Sequence, residues 1–247
     1  MLDICLLGTG GMMPMPSRFL TAMLARLNGR LALIDCGEGT QVTMKMLGWG
    51  FKAIDVICFT HFHADHISGL PGLLLTIGNA GRTEPLMLIG PVGLQRIVEG
   101  LTLIAPELPF SIEYIELDKD TPNPIRVGAF EIHHCPADHM VKCFAYRIDL
   151  KRKGKFDVKK AEQLKLPKPL WNKLQKEGSV DHEGKTYTAD MVMGENRKGI
   201  SVAYCTDSRQ VDRITKFVEG VQLFICEGMY GEEEKKQKAR ENKHMLF

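Results

Sequence analysis

Three of the chain's eight histidines are crowded into Thr60-His61-Phe62-His63-Ala64-Asp65-His66, directly after the apolar run Val56–Phe59. The run reads as a short buried strand. In an extended segment His61 and His63, two apart, project to the same side and can grip one cation. Asp65 and His66 follow at the turn into the next helix, where a carboxylate and an imidazole can serve a second cation beside the first. Ligands gathered beyond the carboxyl end of a strand are where open α/β sheets place their sites. An accident of surface composition explains such crowding poorly, because so few histidines are available to the whole chain.

Comparable apolar runs, separated by turn signals, lie at Ile4–Leu7, Leu31–Ile34, Leu86–Ile89, Val202–Cys205 and Leu223–Cys226. Helical spacing of apolar residues occurs at about 38–47, 68–78, 92–104 and 209–218. Strands with intervening helices predict a layered α/β domain. The middle third is richer in strands: Ser111–Leu117, Ile125–Cys135 and Lys142–Asp149 read as antiparallel, which a purely parallel doubly wound sheet does not accommodate. At 247 residues, 44% of them hydrophobic, the chain suits a single domain with a substantial core.

A net charge of +2 gives no general attraction to polyanions, so any affinity for nucleic acid must come from a local patch. One segment offers it. From Lys151 to Lys176 the basic residues are Lys151, Arg152, Lys153, Lys155, Lys159, Lys160, Lys165, Lys168, Lys173 and Lys176, against Asp157 and Glu162 alone. Interleaved with Phe156, Leu166, Leu170 and Trp171, this reads as an inserted arm, at about 151–195, that touches polyanions. Seven cysteines, scattered singly and without CxxC pairs, fit a reducing compartment. Met1–Pro14 lacks a basic start followed by an apolar run, and no stretch approaches the ~20 apolar residues of a membrane helix. The expectation is a soluble cytoplasmic protein with no membrane partner.

The spelling HxHxDH resembles that of metallo-β-lactamase-fold hydrolases. Asp35-Cys36-Gly37-Glu38-Gly39-Thr40-Gln41, after Leu31–Ile34, is similar to the DCGEGTQ signature of the ribonuclease Z family, and Leu7-Gly8-Thr9-Gly10-Gly11 resembles its opening strand and turn. The resemblance runs from Leu6 to His244 and is strongest over the first seventy residues. It implies an α/β, four-layer αββα sandwich with two metal ions at one edge of the sheets. Oxygen-reducing diiron relatives carry a carboxylate where this chain has His63, so Zn2+, two per chain, is the first choice, with Mn2+ or Fe2+ as other occupants.

The resemblance also supplies roles. His61 and His63 would hold the first ion, together with His139 from Pro136-Ala137-Asp138-His139; His133 and His134 compete for that role but alternate with Ile132 inside a strand. Asp65 and His66 would hold the second ion. Asp207 of Tyr204-Cys205-Thr206-Asp207-Ser208-Arg209 would bridge both, the structural alternative being a helix N-cap at Asp207 or Ser208. Asp35 would accept a hydrogen bond from the His-rich loop, as partners of ligating imidazoles do, while Gly37 and Gly39 shape a turn. His244, in Glu241-Asn242-Lys243-His244, resembles a loop histidine that meets the scissile phosphate, although it could equally ride on the charged helix that follows Glu232. A last histidine, beyond a further helix and strand, is expected for the second ion; the sequence stops at Phe247 and reads as truncated, with Met245-Leu246-Phe247 as the start of a buried helix.

The activity so implied is endonucleolytic trimming of precursor tRNA at its 3′ end, by a homodimer. Asp65 would orient the attacking water and take its proton, and His244 would protonate the departing oxygen. Lys159, Lys160, Lys165 and Lys168 of the arm would hold tRNA phosphates. The arm departs from the family pattern in reading Lys168-Pro169 where a Gly-Pro pair is usual. Competing readings are a small-molecule hydrolase of the same fold, such as a cyclic nucleotide phosphodiesterase, lactonase or thioesterase, and a nucleic-acid-binding protein with a degenerate metal site.

Overall fold

A computed structural model describes every residue except Pro106, Lys153 and Phe247, and only the backbone of Glu233. Lys153 of the basic segment and the terminal Phe247 therefore lie outside the described residues. Two compact units emerge, Met1–Asp149 with Ser201–Phe247, and Leu150–Ile200.

The larger unit opens with an antiparallel meander of β1 (Leu2–Gly8), β2 (Ala22–Leu27) and β3 (Arg30–Ile34). Its second turn is Asn28-Gly29, both with positive φ, the pairing that two-residue hairpins favour. After β3, helical crossovers through α1 (Thr40–Leu47), then α2 (Ala64–Ile67) and α3 (Leu70–Asn79), then α4 (Leu94–Leu101), lay down β4 (Ile54–Cys58), β5 (Leu86–Pro91) and β6 (Ile112–Leu117) in parallel. The sheet order is β1-β2-β3-β4-β5-β6. The stretch expected to be antiparallel at Ser111–Leu117 is thus the parallel partner of β5, with Leu86 opposite Ile112 and Pro91 opposite Leu117. Local alternation makes a strand, but the α4 crossover decides its direction.

The second sheet takes β7 (Ile125–Val127), β8 (Phe130–Pro136) and β9 (Phe144–Arg152), all antiparallel as the sequence suggests. The chain then makes the smaller unit from α5 (Val158–Gln163), α6 (Lys168–Glu177) and the hairpin of β10 (Ser179–His182) with β11 (Lys185–Thr188). It returns through β12 (Arg197–Cys205), α7 (Asp212–Val218), β13 (Leu223–Cys226) and α8 (Lys236–Glu241), giving the order β13-β12-β9-β8-β7.

Helices cover the outer faces. Met44, Leu70, Leu73, Leu74, Ile77, Leu94 and Val98 pack on Leu24, Leu31, Leu33 and Ile57 of the first sheet. Ile214, with Val211 and Phe217, packs on Ala145 and Cys205 of the second. Between the sheets the Tyr146 hydroxyl donates to the Phe59 carbonyl at 2.7 Å, and the Phe144 N–H to the Thr60 carbonyl at 2.9 Å. The result is helix, sheet, sheet, helix. Each fully buried Leu or Ile contributes about 1.5–3 kcal/mol, so the strand ends that carry the site sit on rigid material.

The smaller unit has its own core of Ala161, Leu166, Leu174, Val180 and Val192, with Phe156 and Trp171 packed ring to ring at 5.3 Å. The apolar residues read from sequence as part of a polyanion-facing surface therefore turn inward. The Trp171 indole N–H is satisfied by the Leu166 carbonyl. Lys159, Lys160, Lys165 and Lys168 remain exposed around this core. Lys160 also donates to the Met193 carbonyl at 2.7 Å.

At the C-terminus, Met245 and Leu246 do not begin a helix. Lys243 takes a positive φ after α8, and Leu246 forms a bridge with Tyr230 instead. Among the described residues, no helix is long and apolar enough to cross a membrane.

Candidate active site

Strand β4 ends at Cys58, and the chain leaves it through Phe59 and Thr60 before α2 begins. His61 is fully buried and His66 nearly so, which holds both imidazoles in place before any ion binds. Nε2 of His61 lies 2.9 Å from Nδ1 of His63, and Nε2 of His139 lies 3.3 Å from that same Nδ1. Asp207 brings its Oδ2 to 3.5 Å from the His61 Nε2 and 3.7 Å from the His139 Nε2. These four residues each offer one ligand atom, all within 4.8 Å of one another. Three imidazoles and a carboxylate are the donor set that suits a zinc-like cation.

A second set shares an atom with the first. Asp207 Oδ2 is also 3.5 Å from Nε2 of His66, which stands 3.8 Å from Oδ2 of Asp65. The structure brings together all six residues named from sequence, with Asp207 Oδ2 between the two sets. Asp207 adopts a positive φ at the end of β12, with its Oδ1 accepting from the Thr206 hydroxyl at 2.9 Å. It caps no helix, because α7 starts only at Asp212.

Electrostatics prepare these groups for cations. Burial, reinforced by the neighbouring His66, pulls the His61 pKa down to about 2, so its lone pair is available. Burial also opposes a proton on His66, but the carboxylates of Asp35 and Asp207 outweigh it and push the pKa up to about 10. Asp207 stays ionised despite burial because His66 donates to it. A proton on His66 thus stands where a cation would, and a cation there would have to displace it.

Asp35 lies beneath the loop, fully buried and with a positive φ. Its carboxylate accepts from the Thr60 N–H, the Thr60 hydroxyl and Nδ1 of His66, each at 2.8 Å. Thr60 Oγ1 in turn stands 3.0 Å from Nδ1 of His61. One carboxylate therefore orients ligands on both sides of the site. Of the two glycines in the neighbouring turn, Gly39 has the positive φ that a turn requires, whereas Gly37 is needed for proximity: a Cβ there would sit 2.4 Å from the Asp65 carbonyl.

His244 follows α8 and is half-buried beside the cluster, its ring 5.2 Å from that of His139. Nδ1 contacts both oxygens of Glu227, at 2.9 and 3.0 Å, and this hydrogen bond raises the His244 pKa. It is not a surface helix residue. Sequence reasoning missed Glu227: it directly follows β13, but one acid after a strand carries little information without its partner His244. Asp207, Glu227 and His244 also form a group whose ligand atoms lie close together.

The competitors His133 and His134 lie on β8 and do not join the cluster. His133 Nε2 is 3.1 Å from Asp149 and 3.7 Å from Glu131. Arg147 and Arg126 also pair with those carboxylates, which makes the place uninviting for a cation. The four arm lysines belong to the smaller unit.

The family model of the anti-Pycsar protein Apyc1 matches residues 2–98. Ribonuclease Z of Agathobacter rectalis is 56% identical over 247 residues, spanning all of this chain and 81% of the relative. Ribonuclease Z of Clostridium acetobutylicum is 54% identical over 252 residues, with 82% of the relative covered. Among solved structures, human tRNase Z, short form, superposes with a TM-score of 0.69 at 24% identity, covering 100% of this chain and 85% of that one. The metallo-β-lactamase-fold protein YhfI of Bacillus subtilis gives 0.66 at 18% identity, covering 99% and 78%. These two share the fold, whereas the two ribonucleases Z are identical to this chain at more than half of the aligned positions along its whole length, and on that ground the chain belongs to the ribonuclease Z family of metallo-β-lactamase-fold hydrolases.

Proposed function

We propose that the chain is an endoribonuclease that cleaves precursor tRNA at its 3′ end, leaving a tRNA with a free 3′-hydroxyl and a trailer with a 5′-phosphate. The observation that carries this reading is the convergence of His61, His63, His139, Asp65, His66 and Asp207 in a chain 56% identical to a ribonuclease Z. The proposed occupants are two zinc ions per chain: His61, His63 and His139 for one, Asp65 and His66 for the other, Asp207 for both. When bound, such a pair would supply Lewis acidity, easing deprotonation of water and offsetting charge on the attacked phosphate.

The remaining chemistry belongs to side chains. Asp65, its Oδ2 held by the Met12 N–H at 2.9 Å, orients the attacking water and accepts its proton. His244 keeps its own proton to higher pH through Glu227 and delivers it to the departing 3′ oxygen. Asp35 positions His66 and the Thr60 loop and touches no substrate. A homodimer in a reducing, cytoplasmic setting completes the reading; all seven cysteines being free supports that setting.

Incubation of the purified, zinc-loaded protein with a 3′-extended precursor tRNA tests it. Cleavage at the junction with the stated end groups supports the proposal. No cleavage of several precursors, alongside brisk hydrolysis of a cyclic nucleotide or small ester, overturns it in favour of a small-molecule hydrolase, and absence of both with no bound metal points to a binding protein.

Within this reading the exposed lysines of the smaller unit grip tRNA phosphates. All four reach solvent; Lys160 also donates to the Met193 carbonyl, which leaves Lys159, Lys165 and Lys168 as the three to vary. Reversing the three to glutamate is expected to raise KM for precursor tRNA about tenfold or more at physiological salt and to flatten its salt dependence, with little change in kcat. Steady-state kinetics at two salt concentrations reads this, and an unaltered KM would remove the arm from substrate binding.

A further inference from the structure

Resting on the reading of His244 as proton donor, we propose that Asp138 is a positioning residue: a latch that fixes the spacing between the His139 side of the site and His244. The loop that carries His139 is tied by its preceding residue to two other segments. The Asp138 N–H donates to Ser208 Oγ at 3.0 Å, and the Asp138 carbonyl accepts from the Arg209 N–H at 3.2 Å. Its carboxylate accepts from Arg209 Nε through one oxygen and from Lys243 Nζ, at 2.9 Å, through the other. Lys243 Nζ donates as well to the His139 carbonyl at 3.2 Å.

These bonds close a ring. Ser208 donates its N–H to Glu227 at 2.7 Å, Glu227 accepts from His244, and His244 is the neighbour of Lys243, which returns to Asp138. Lys243 holds a left-handed backbone, φ 56°, just past the end of α8, where the His244 N–H donates to the Ala239 carbonyl at 2.9 Å and the Lys243 N–H to the Arg240 carbonyl at 3.3 Å. This helix end places the next side chain, His244, beside the ring of His139. A salt bridge this close to the surface contributes little to stability. Its two ends instead belong to the segments that must stay in register for proton delivery, so geometry is its output.

The latch makes a prediction that a merely structural role does not share, because a leaving group that needs no proton is indifferent to His244. In Asp138→Ala, kcat on precursor tRNA is expected to fall about 10²-fold, while hydrolysis of bis(p-nitrophenyl) phosphate and the zinc content per chain stay within twofold of the unaltered enzyme. Lys243→Met should give a comparable loss, and the loss in the double variant should fall well short of the two combined, since both remove the Asp138–Lys243 bond while each also removes one of its own, to Arg209 or to the His139 carbonyl. If Asp138→Ala proves insoluble, Asp138→Asn, which keeps the size and removes the charge, carries the same expectation.

Equal losses on both substrates, or losses that add in the double variant, would overturn the latch. A readout independent of substrate is the exchange-protected imidazole N–H resonance of the His244–Glu227 pair, assigned by its disappearance in His244→Ala. Asp138→Ala should broaden or abolish it; persistence at its original position and exchange rate refutes the latch even if precursor tRNA proves not to be the substrate.

Discussion

Exchanging Asp65 for asparagine is expected to lower kcat on precursor tRNA by about 10³-fold or more while thermal stability stays nearly unchanged. Asparagine has the same shape and can still accept the Met12 N–H that now goes to Asp65 Oδ2. What it lacks is the capacity to take a proton from water, together with the charge that would help hold the second ion, so zinc content is counted alongside activity. The side chain is only 14% exposed and already oriented, so the loss should fall on kcat rather than on KM. Single-turnover kinetics together with a melting curve would separate a chemical defect from a folding one. Activity within tenfold of the unaltered enzyme would show that the proton goes elsewhere, and the neighbouring carboxylate of Asp207 would be the next candidate.

Removing the carboxylate that both ligand sets share should have the second large effect. Asp207→Ala takes away the Oδ2 that stands 3.5 Å from both His61 and His66 and 3.7 Å from His139. Bound zinc, counted by plasma emission spectrometry, is expected to drop from about two ions per chain to one or fewer, with cleavage reduced to background. Because ligands that bind only the folded state stabilise it, added zinc should raise the Tm of the unaltered enzyme and do so much less in the variant. Two ions retained at full affinity would mean that Asp207 bridges nothing.

The histidine cluster was legible because its signal is local: a strand period of two, then a turn, all within seven residues. Asp207 and His139 needed the family resemblance, since one acid or one histidine after a strand carries little information alone. Glu227 escaped for the same reason, and its importance lies in its partner His244, which follows a different element. Strand β2 lies outside the apolar runs that mark the other strands, and its signal is the Asn28-Gly29 turn that makes a hairpin between it and β3. The pairing of Ile112–Leu117 could not be read from alternation, because direction depends on the crossover that precedes it. In the basic segment composition drew attention to charge, whereas Phe156, Leu166 and Trp171 were spent on a small core that the lysines surround.

Gly37 touches the carbonyl of Asp65 at a distance no side chain would permit, and Gly69, at the head of α3, does the same to the carbonyl of Gly37. Main chain here rests on main chain, with no deformable methyl or methylene between. Alanine at either position would therefore be transmitted to the proton acceptor as a displacement instead of being absorbed by neighbours. The loop from His61 to His66 can therefore exchange its donor atoms more readily than it can change its size, and the spacing of Asp65 from its neighbours lasts only as long as both glycines do.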